Sequence, residues 1–478
     1  MVRYPGGALL LGRRVDRGAA HPGPGPGRRQ GVNLQHAHAL VIGFGRSGRA
    51  ASAFIQKQGG SVRVVDRNDT PELRAALHAA GVDGRVGGYS EADLNGRDLV
   101  VVSPGVPWDL PLVQAARRQG IGVTSEMDLF FSFCPAPIAG ITGTNGKTTT
   151  TALTADLFAA GGLRVIRGGN IGETVLDRLD QVTDDSWMVL ELSSFQLESV
   201  AQPRLRIGAI LNVSQNHLDR HQTFERYREI KAKAIAFMTS EDAAILNADD
   251  PSYEYFRART RGRALPFSTR RLDLDAGAVL REGWITVAGA RVMPAAEVPL
   301  PGEHNVSNVL AAVGAGHAAG VALDRMRAAV LAFKGLEHRL ELVGTFHGVR
   351  WYNDSKATTP DSTSRALEAF REPIILIAGG RNKGMDLDPL ARVIAQRAAA
   401  LVAMGETGDE LVQRVRAHGL VRAERADDLK DAVRRAAHAA PLGSVVVLSP
   451  AFASYDMFTD FEDRGRRFKA AVRAEVGA

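Results

Sequence analysis

Apolar residues in this chain gather in short runs, separated by stretches in which apolar positions recur every three or four residues. The first run begins at Ala39 and is followed by a glycine-rich turn, an amphipathic segment and a second run, SVRVVD, ending at Asp66. Short runs predict strands and the longer period predicts helices, so this stretch reads as a βαβ unit. A further strand from Asp98 ends in Ser103-Pro-Gly, a turn expected at the carboxyl edge of a parallel sheet, where ligands bind.

The same alternation resumes at Pro137 to Thr142 and recurs at Trp187 to Leu192, Ile207 to Val213 and Ala243 to Asn247. It returns once more at Pro373 to Gly380, Ala399 to Gly405 and Ser444 to Pro450. Strands interleaved with helices predict parallel sheets covered on both faces. The expected fold class is therefore α/β with three domains: a Rossmann-like domain over 37–127, a central P-loop ATPase-like parallel-sheet domain over 128–337, and a Rossmann-like α/β domain over 338–478. Phe333 to Glu341 reads as the hinge before the third. No repeat of solenoid length is visible.

Composition narrows the class. Apolar residues make up 45% and charged residues 23% of 478, values ordinary for soluble globular proteins. Residues 1–36, rich in Gly, Pro and Arg, lack periodicity and are expected to be disordered. A start of translation near Val32 would leave most of this tail out. Residues 1–31 hold six Arg against one Asp, a net +5 of the chain's +6. The remainder is nearly neutral, which argues against nucleic-acid binding. Cys134 is the single cysteine, so no intrachain disulfide forms, and no run is long enough for a membrane span. A cytoplasmic protein is expected.

Gly143-Thr-Asn-Gly-Lys-Thr148 follows a strand and opens a helix, the setting in which a loop cradles phosphate. Glycines admit close approach, successive N–H groups and the helix dipole favour negative charge, Lys147 reaches the β and γ phosphates, and the Thr148 hydroxyl joins a Mg²⁺ shell. The strict pattern asks for glycine five positions before Gly146, where this chain has Ile141. Gly143, Thr144, Asn145, Gly146, Lys147, Thr148 and Thr149 are thus candidates for nucleotide binding, with ATPase, kinase and ligase all open. Gly43-Phe-Gly-Arg-Ser-Gly48, with Asp66 beyond it, fits a dinucleotide fingerprint that alone would point to NAD.

Further motifs choose among these readings. LELSSFQLE from Leu190, NVSQNHLDRH from Asn212, GEHNVSN from Gly302, LEHRLE from Leu336, NDSKATTPDST from Asn353 and SPAFASYDMFTDFEDRGRRF from Ser449 occur in order after GTNGKT. Together they resemble the Mur ligase family, and within it the branch that adds D-glutamate. The loop alone is shared with folylpolyglutamate synthases, the nearest alternative; a non-catalytic nucleotide-binding protein is the other.

The resemblance implies an ATP-dependent acid–amino-acid ligase that joins D-glutamate to UDP-N-acetylmuramoyl-L-alanine through an acyl phosphate, with Mg²⁺, as a monomer. It implies catalytic roles for Lys147, Glu191, His217, Lys231 and Arg339, and a metal set of Thr148, Glu191, His217 and Lys231 as its carbamate. Some members carry an acidic residue before the histidine, where this chain has Asn216. By composition alone Lys231 and Lys233 are ordinary exposed lysines, and only the motif picks the first. Asn305, Asn308, Arg339 and Asp354 are implied at the nucleotide, and Arg46, Ser47, Asp66, Ser103, Asn170 and Gln196 at the UDP substrate. Lys356, Thr358, Lys383, Ser454 and Phe461 are implied at D-glutamate.

Overall fold

The computed structural model describes residues 33–170, 174–382 and 384–477, which form three sheets one after another along the chain. The first has five parallel strands in the order Asp83–Val86, Ser61–Asp66, His38–Ile42, Leu99–Val102, Gly122–Ser125. The chain starts in the middle and winds to one side, then the other. A switch point therefore lies between His38–Ile42 and Leu99–Val102, whose carboxyl ends diverge around a cleft.

The middle sheet has nine strands, with Ile138–Thr142 between Ser186–Glu191 and Ile207–Ile210. These strands are buried end to end, as a parallel sheet with both faces covered requires. Successive residues enter different cores: Ile138 joins Tyr227 and Ile230, whereas Ala139 and Ile141 join Leu153 and Val309. One edge departs from the expected alternation. Ala278–Arg281, Trp284–Val287 and Ala290–Pro294 form an antiparallel meander. Its two-residue turns, Glu282-Gly283 and Ala288-Gly289, have positive φ at both positions, the twist that closes a tight hairpin.

The third sheet has six strands and is parallel except for the hairpin Glu341–Phe346 with Val349–Asn353 at one edge. One apolar core runs unbroken from Val41 and Val64 through Met127 and Phe130 to Met188 and Tyr227, joining the first two sheets. The two cores of the third sheet contain no residue of the others. Arg339 reaches the Thr148 hydroxyl across the boundary with the middle unit, and separately packed units of this kind can move relative to one another.

Residues 1–32 of the expected tail lie outside the described residues. Near the expected boundary, Leu34 is 2% exposed within the first core, and the His36 N–H donates to the Gly59 carbonyl at 3.1 Å. Apolar burial thus orders the chain before the first strand. Among the described residues, no helix is long and apolar enough to cross a membrane.

Candidate active site

Ile138–Thr142 delivers the chain to the phosphate loop at the centre of the middle sheet. Gly146 ends the loop and caps the helix Lys147–Ala160 with φ of +80°, a conformation that side chains resist. Space is a second reason for glycine, because a Cβ there would collide with Asn308 Oδ1. Gly146→Ala is therefore expected to weaken ATP binding by about tenfold or more. Equilibrium titration checks this, and wild-type affinity in the variant would show that the loop tolerates a side chain.

Lys147 Nζ donates to the carbonyls of Gly143 at 3.0 Å and Thr144 at 2.9 Å, curling back over the loop. The Asn145 N–H donates to Asn212 Oδ1 at 2.9 Å, and Asn212 Nδ2 returns a bond to the Asn145 carbonyl at 3.2 Å. The loop is thereby pinned to the chain leaving the next strand. Burial holds the Lys147 pKa below its ordinary value, while the Glu191 carboxylate opposes the shift.

Glu191 closes the strand Ser186–Glu191 and is 3% exposed. Its Oε1 accepts from Asn170 Nδ2 at 3.0 Å, whereas its buried Oε2 has no hydrogen-bond partner among the described residues. A buried carboxylate oxygen without a donor is costly. Beside a phosphate loop, that oxygen suits a hard divalent cation. The Thr148 hydroxyl accepts from Arg339 Nη2 at 3.0 Å.

Lys231, on the helix Phe224–Ala236, is 1% exposed. Its Nζ donates to the Gly143 carbonyl at 2.8 Å and Thr142 Oγ1 at 3.3 Å, and lies 4.7 Å from the centroid of the Tyr227 ring. Burial depresses its pKa well below that of a free lysine, with Lys147 adding to the effect and Glu191 opposing it. Lys233 instead donates to the Glu198 carbonyl at 3.1 Å. Tertiary structure thus separates two lysines that composition leaves alike. His217 is exposed with φ of +52°, its ring 4.9 Å from that of Phe195.

A cavity of about 500 Å³ opens between the middle and third units. Asn145, Gly146, Thr149, Asn305 and Asn308 line it from one side, and Arg339, Asp354 and Lys356 from the other. Asn308 Nδ2 donates to Asn305 Oδ1 at 3.0 Å, fixing the pair on the helix Glu303–Ala318. Arg339 arrives on a turn in which His338 and Leu340 have φ of +64° and +43°. Asp354 holds that turn, accepting the Leu340 N–H at 3.2 Å and the Ser449 hydroxyl at 2.8 Å. Burial pushes the Asp354 pKa up to about 7 in spite of these bonds.

Among the residues expected at D-glutamate, Lys356 lines this same cavity, and its Nζ lies 5.0 Å from the centroid of the Phe461 ring. Ser454 is buried and Thr358 half-buried, whereas Lys383 lies outside the described residues. A second cavity, of about 710 Å³, occupies the switch point of the first sheet. Arg46, Ser47, Asp66 and Ser103 line it together with Asn170 and Gln196 from the middle unit. Asp66 Oδ2 accepts the Phe44 N–H at 2.8 Å, and the Ser103 hydroxyl donates to the Gly43 carbonyl at 2.8 Å, so both shape the glycine-rich turn. Gln196 Oε1 is committed to capping the helix Ser194–Ser199, accepting from the Ser193 N–H and hydroxyl at 3.0 Å each.

Comparison with known proteins agrees along the chain. Residues 37–125 match the Mur ligase MurD-like N-terminal domain, 141–316 the Mur ligase middle domain, and 338–452 the Mur ligase glutamate ligase domain. A UDP-N-acetylmuramoylalanine–D-glutamate ligase of Pelotomaculum thermopropionicum is 43% identical over 440 residues, covering 91% of this chain and 96% of that protein. One from Koribacter versatilis is 41% identical over 449 residues, covering 92% and 98%. The chain belongs to the Mur ligase family. The fold of this Mur ligase is shared by MurC of Thermotoga maritima, with TM-score 0.56 and 20% identity over 92% of this chain and 99% of that one. It is shared also by MurF of Thermotoga maritima, solved in complex with ADP, with TM-score 0.58 and 16% identity over 87% and 95%.

The Mur ligase site also contains residues that sequence reasoning missed. His221 is buried, its Nε2 3.0 Å from the Ser194 hydroxyl and its ring 5.5 Å from that of Tyr227. Arg220 pairs with Glu198 at 2.8 Å and donates to the Val106 carbonyl at 3.1 Å, tying the first unit to the middle one. Arg464 is fully buried and donates to the Ser355 hydroxyl at 2.9 Å, the Ser355 carbonyl at 2.8 Å and the Phe452 carbonyl at 3.1 Å. It braces the turn that carries Asp354 and Lys356. Burial lowers its pKa to about 10. Its one sequence signal was its place in the last motif, where Arg466 and Arg467 look the same.

Proposed function

We infer that this Mur ligase adds D-glutamate to UDP-N-acetylmuramoyl-L-alanine, with ATP converted to ADP and phosphate, in the synthesis of peptidoglycan precursor. The observation that carries the reading is the Asn170–Glu191 bond. Asn170 lines the cavity at the first sheet's switch point, while Glu191 stands beside the phosphate loop, so one hydrogen bond joins the two compartments. Substrate carboxylate and nucleotide would meet there.

Joining a carboxylate to an amine is uphill in water, so the carboxylate is first made electrophilic. Its oxygen attacks the γ phosphorus, an O–P bond forms as the bond to ADP breaks, and an acyl phosphate results. The D-glutamate ammonium loses a proton to solvent, its amine nitrogen attacks the acyl carbon, phosphate leaves, and a second proton passes from the nitrogen to phosphate or solvent. Both steps depend on positioning and on charge neutralisation. Lys147, now bonded to the loop carbonyls, would neutralise the β and γ phosphates, and Arg339 brings a guanidinium to the same loop at Thr148.

Glu191, Thr148, His217 and Lys231 as a carbamate would hold Mg²⁺, which when bound supplies positive charge to the transferred phosphoryl group. The unpartnered Oε2 of Glu191 fits this role. Arg46, Ser47, Asp66 and Ser103 would hold the UDP moiety, and Asn170 with the amide nitrogen of Gln196 the muramoyl-alanine end. Asn305, Asn308 and Asp354 would serve the nucleotide. Lys356, Thr358, Lys383, Ser454 and Phe461 would serve D-glutamate, whose two carboxylates suit paired lysines.

Phosphate release tests the reading. Release is expected to require UDP-N-acetylmuramoyl-L-alanine and D-glutamate together, and to fall to background when L-glutamate or L-lysine replaces the latter. ATP hydrolysis at the same rate without either cosubstrate would overturn it.

A further inference from the structure

Resting on the ligase reading above, we propose that Arg365 is a nucleotide-positioning residue, a cation from the third unit that braces the phosphate loop through Asn145 and raises the affinity for ATP. Arg365 lies on the helix Pro360–Glu368, and its side chain lines the cavity shared by the middle and third units. Its Nε donates to Asp361 Oδ2 at 3.1 Å, one turn earlier on the same helix, which aims the fork outward. The Asn145 amide satisfies both groups with its oxygen toward this fork, and then accepts from Nη1 at 2.8 Å and Nη2 at 3.2 Å.

The far end of this contact is rigid. Asn145 is the third residue of the phosphate loop, and its backbone is clamped on both polar groups by the Asn212 side chain. A force applied at the Asn145 side chain therefore acts on the loop itself. Two arginines of the third unit reach the loop region: Arg339 at Thr148 and Arg365 at Asn145. The third unit shares no apolar core with the middle one, and these two arginines bridge the cavity walls by polar contacts. The charge of Arg365 is felt at the nucleotide's surroundings as well. His304, a neighbour on the cavity wall, has its pKa lowered by desolvation first and by Arg365 second. A guanidinium delivers this charge with a planar fork that an ammonium cannot reproduce.

The test is steady-state kinetics on the full chain with each substrate varied in turn, for wild type, Arg365→Ala and Arg365→Lys. Arg365→Ala is expected to raise KM for ATP about tenfold, the effect of losing one charge-assisted contact. Its kcat and its KM values for the UDP substrate and D-glutamate should stay within about threefold, and Arg365→Lys should fall between. ATP titration of the same proteins gives the binding readout independently of turnover. An unchanged KM for ATP in Arg365→Ala, or equal rises in all three KM values, overturns the inference while wild-type ATP binding stands. Failure of the wild type to bind ATP would overturn the ligase reading and this inference with it.

Discussion

Lys231→Ala is expected to lower kcat by about 10³-fold, the upper end of what removing one preorganised charged group costs, and short carboxylic acids added to the assay are expected to restore part of it. Four cations feel the Glu191 carboxylate in the active site: Lys147, Lys231, Arg339 and Lys356. As an ammonium, Lys231 would be a surplus positive charge exactly where a divalent cation is to sit, only 1% exposed to water. Burial favours the neutral amine, the form whose nitrogen attacks CO₂. A C–N bond would form, a proton would be lost, and a cation would become an anion. Three cations would then face two anions in place of four facing one. Mass spectrometry under CO₂, compared with the kinetics of the variant and its rescue by acetate, checks the assignment; undiminished activity in Lys231→Ala removes it.

Glu191→Gln is expected to cost about 10² to 10³-fold in kcat and to raise the Mg²⁺ concentration needed for half-maximal rate by about tenfold, since one charged ligand becomes neutral. The substitution keeps the shape of the side chain and a carbonyl oxygen able to accept from Asn170. What it removes is the charge on the buried oxygen that has no donor. Mg²⁺ titration of activity at saturating ATP separates this from a packing defect, which would lower kcat at every metal concentration alike. The same Mg²⁺ requirement as wild type would exclude Glu191 as a ligand.

Much of this architecture was legible in the sequence, for a physical reason. Parallel strands buried on both faces must be written as continuous apolar runs, and the loop after Thr142 must contain glycine where φ is positive and space is closed. The meander at Ala278–Pro294 was not read, although Glu282-Gly283 and Ala288-Gly289 are the local turns that a hairpin needs. Its strands are four or five residues long and each is interrupted or ended by a polar residue, Arg281, Thr286 or Arg291, so they lack the longer apolar runs that marked the others. Residue roles that depend on burial were invisible for a different reason. Lys231 and Lys233 sit two positions apart on one helix, and only the packing of that helix against the sheet sends one into the loop and leaves the other outside. Arg464 and His221 are buried by the same kind of long-range contact, which no local spacing encodes.

The left-handed residues His338 and Leu340 place a tight corner directly beside the arginine that touches Thr148. A cavity whose two walls belong to separately packed bodies changes width whenever those bodies turn about that corner. A compound lodged between the walls would act as a wedge acts in a door, fixing their separation without imitating any of the three reactants.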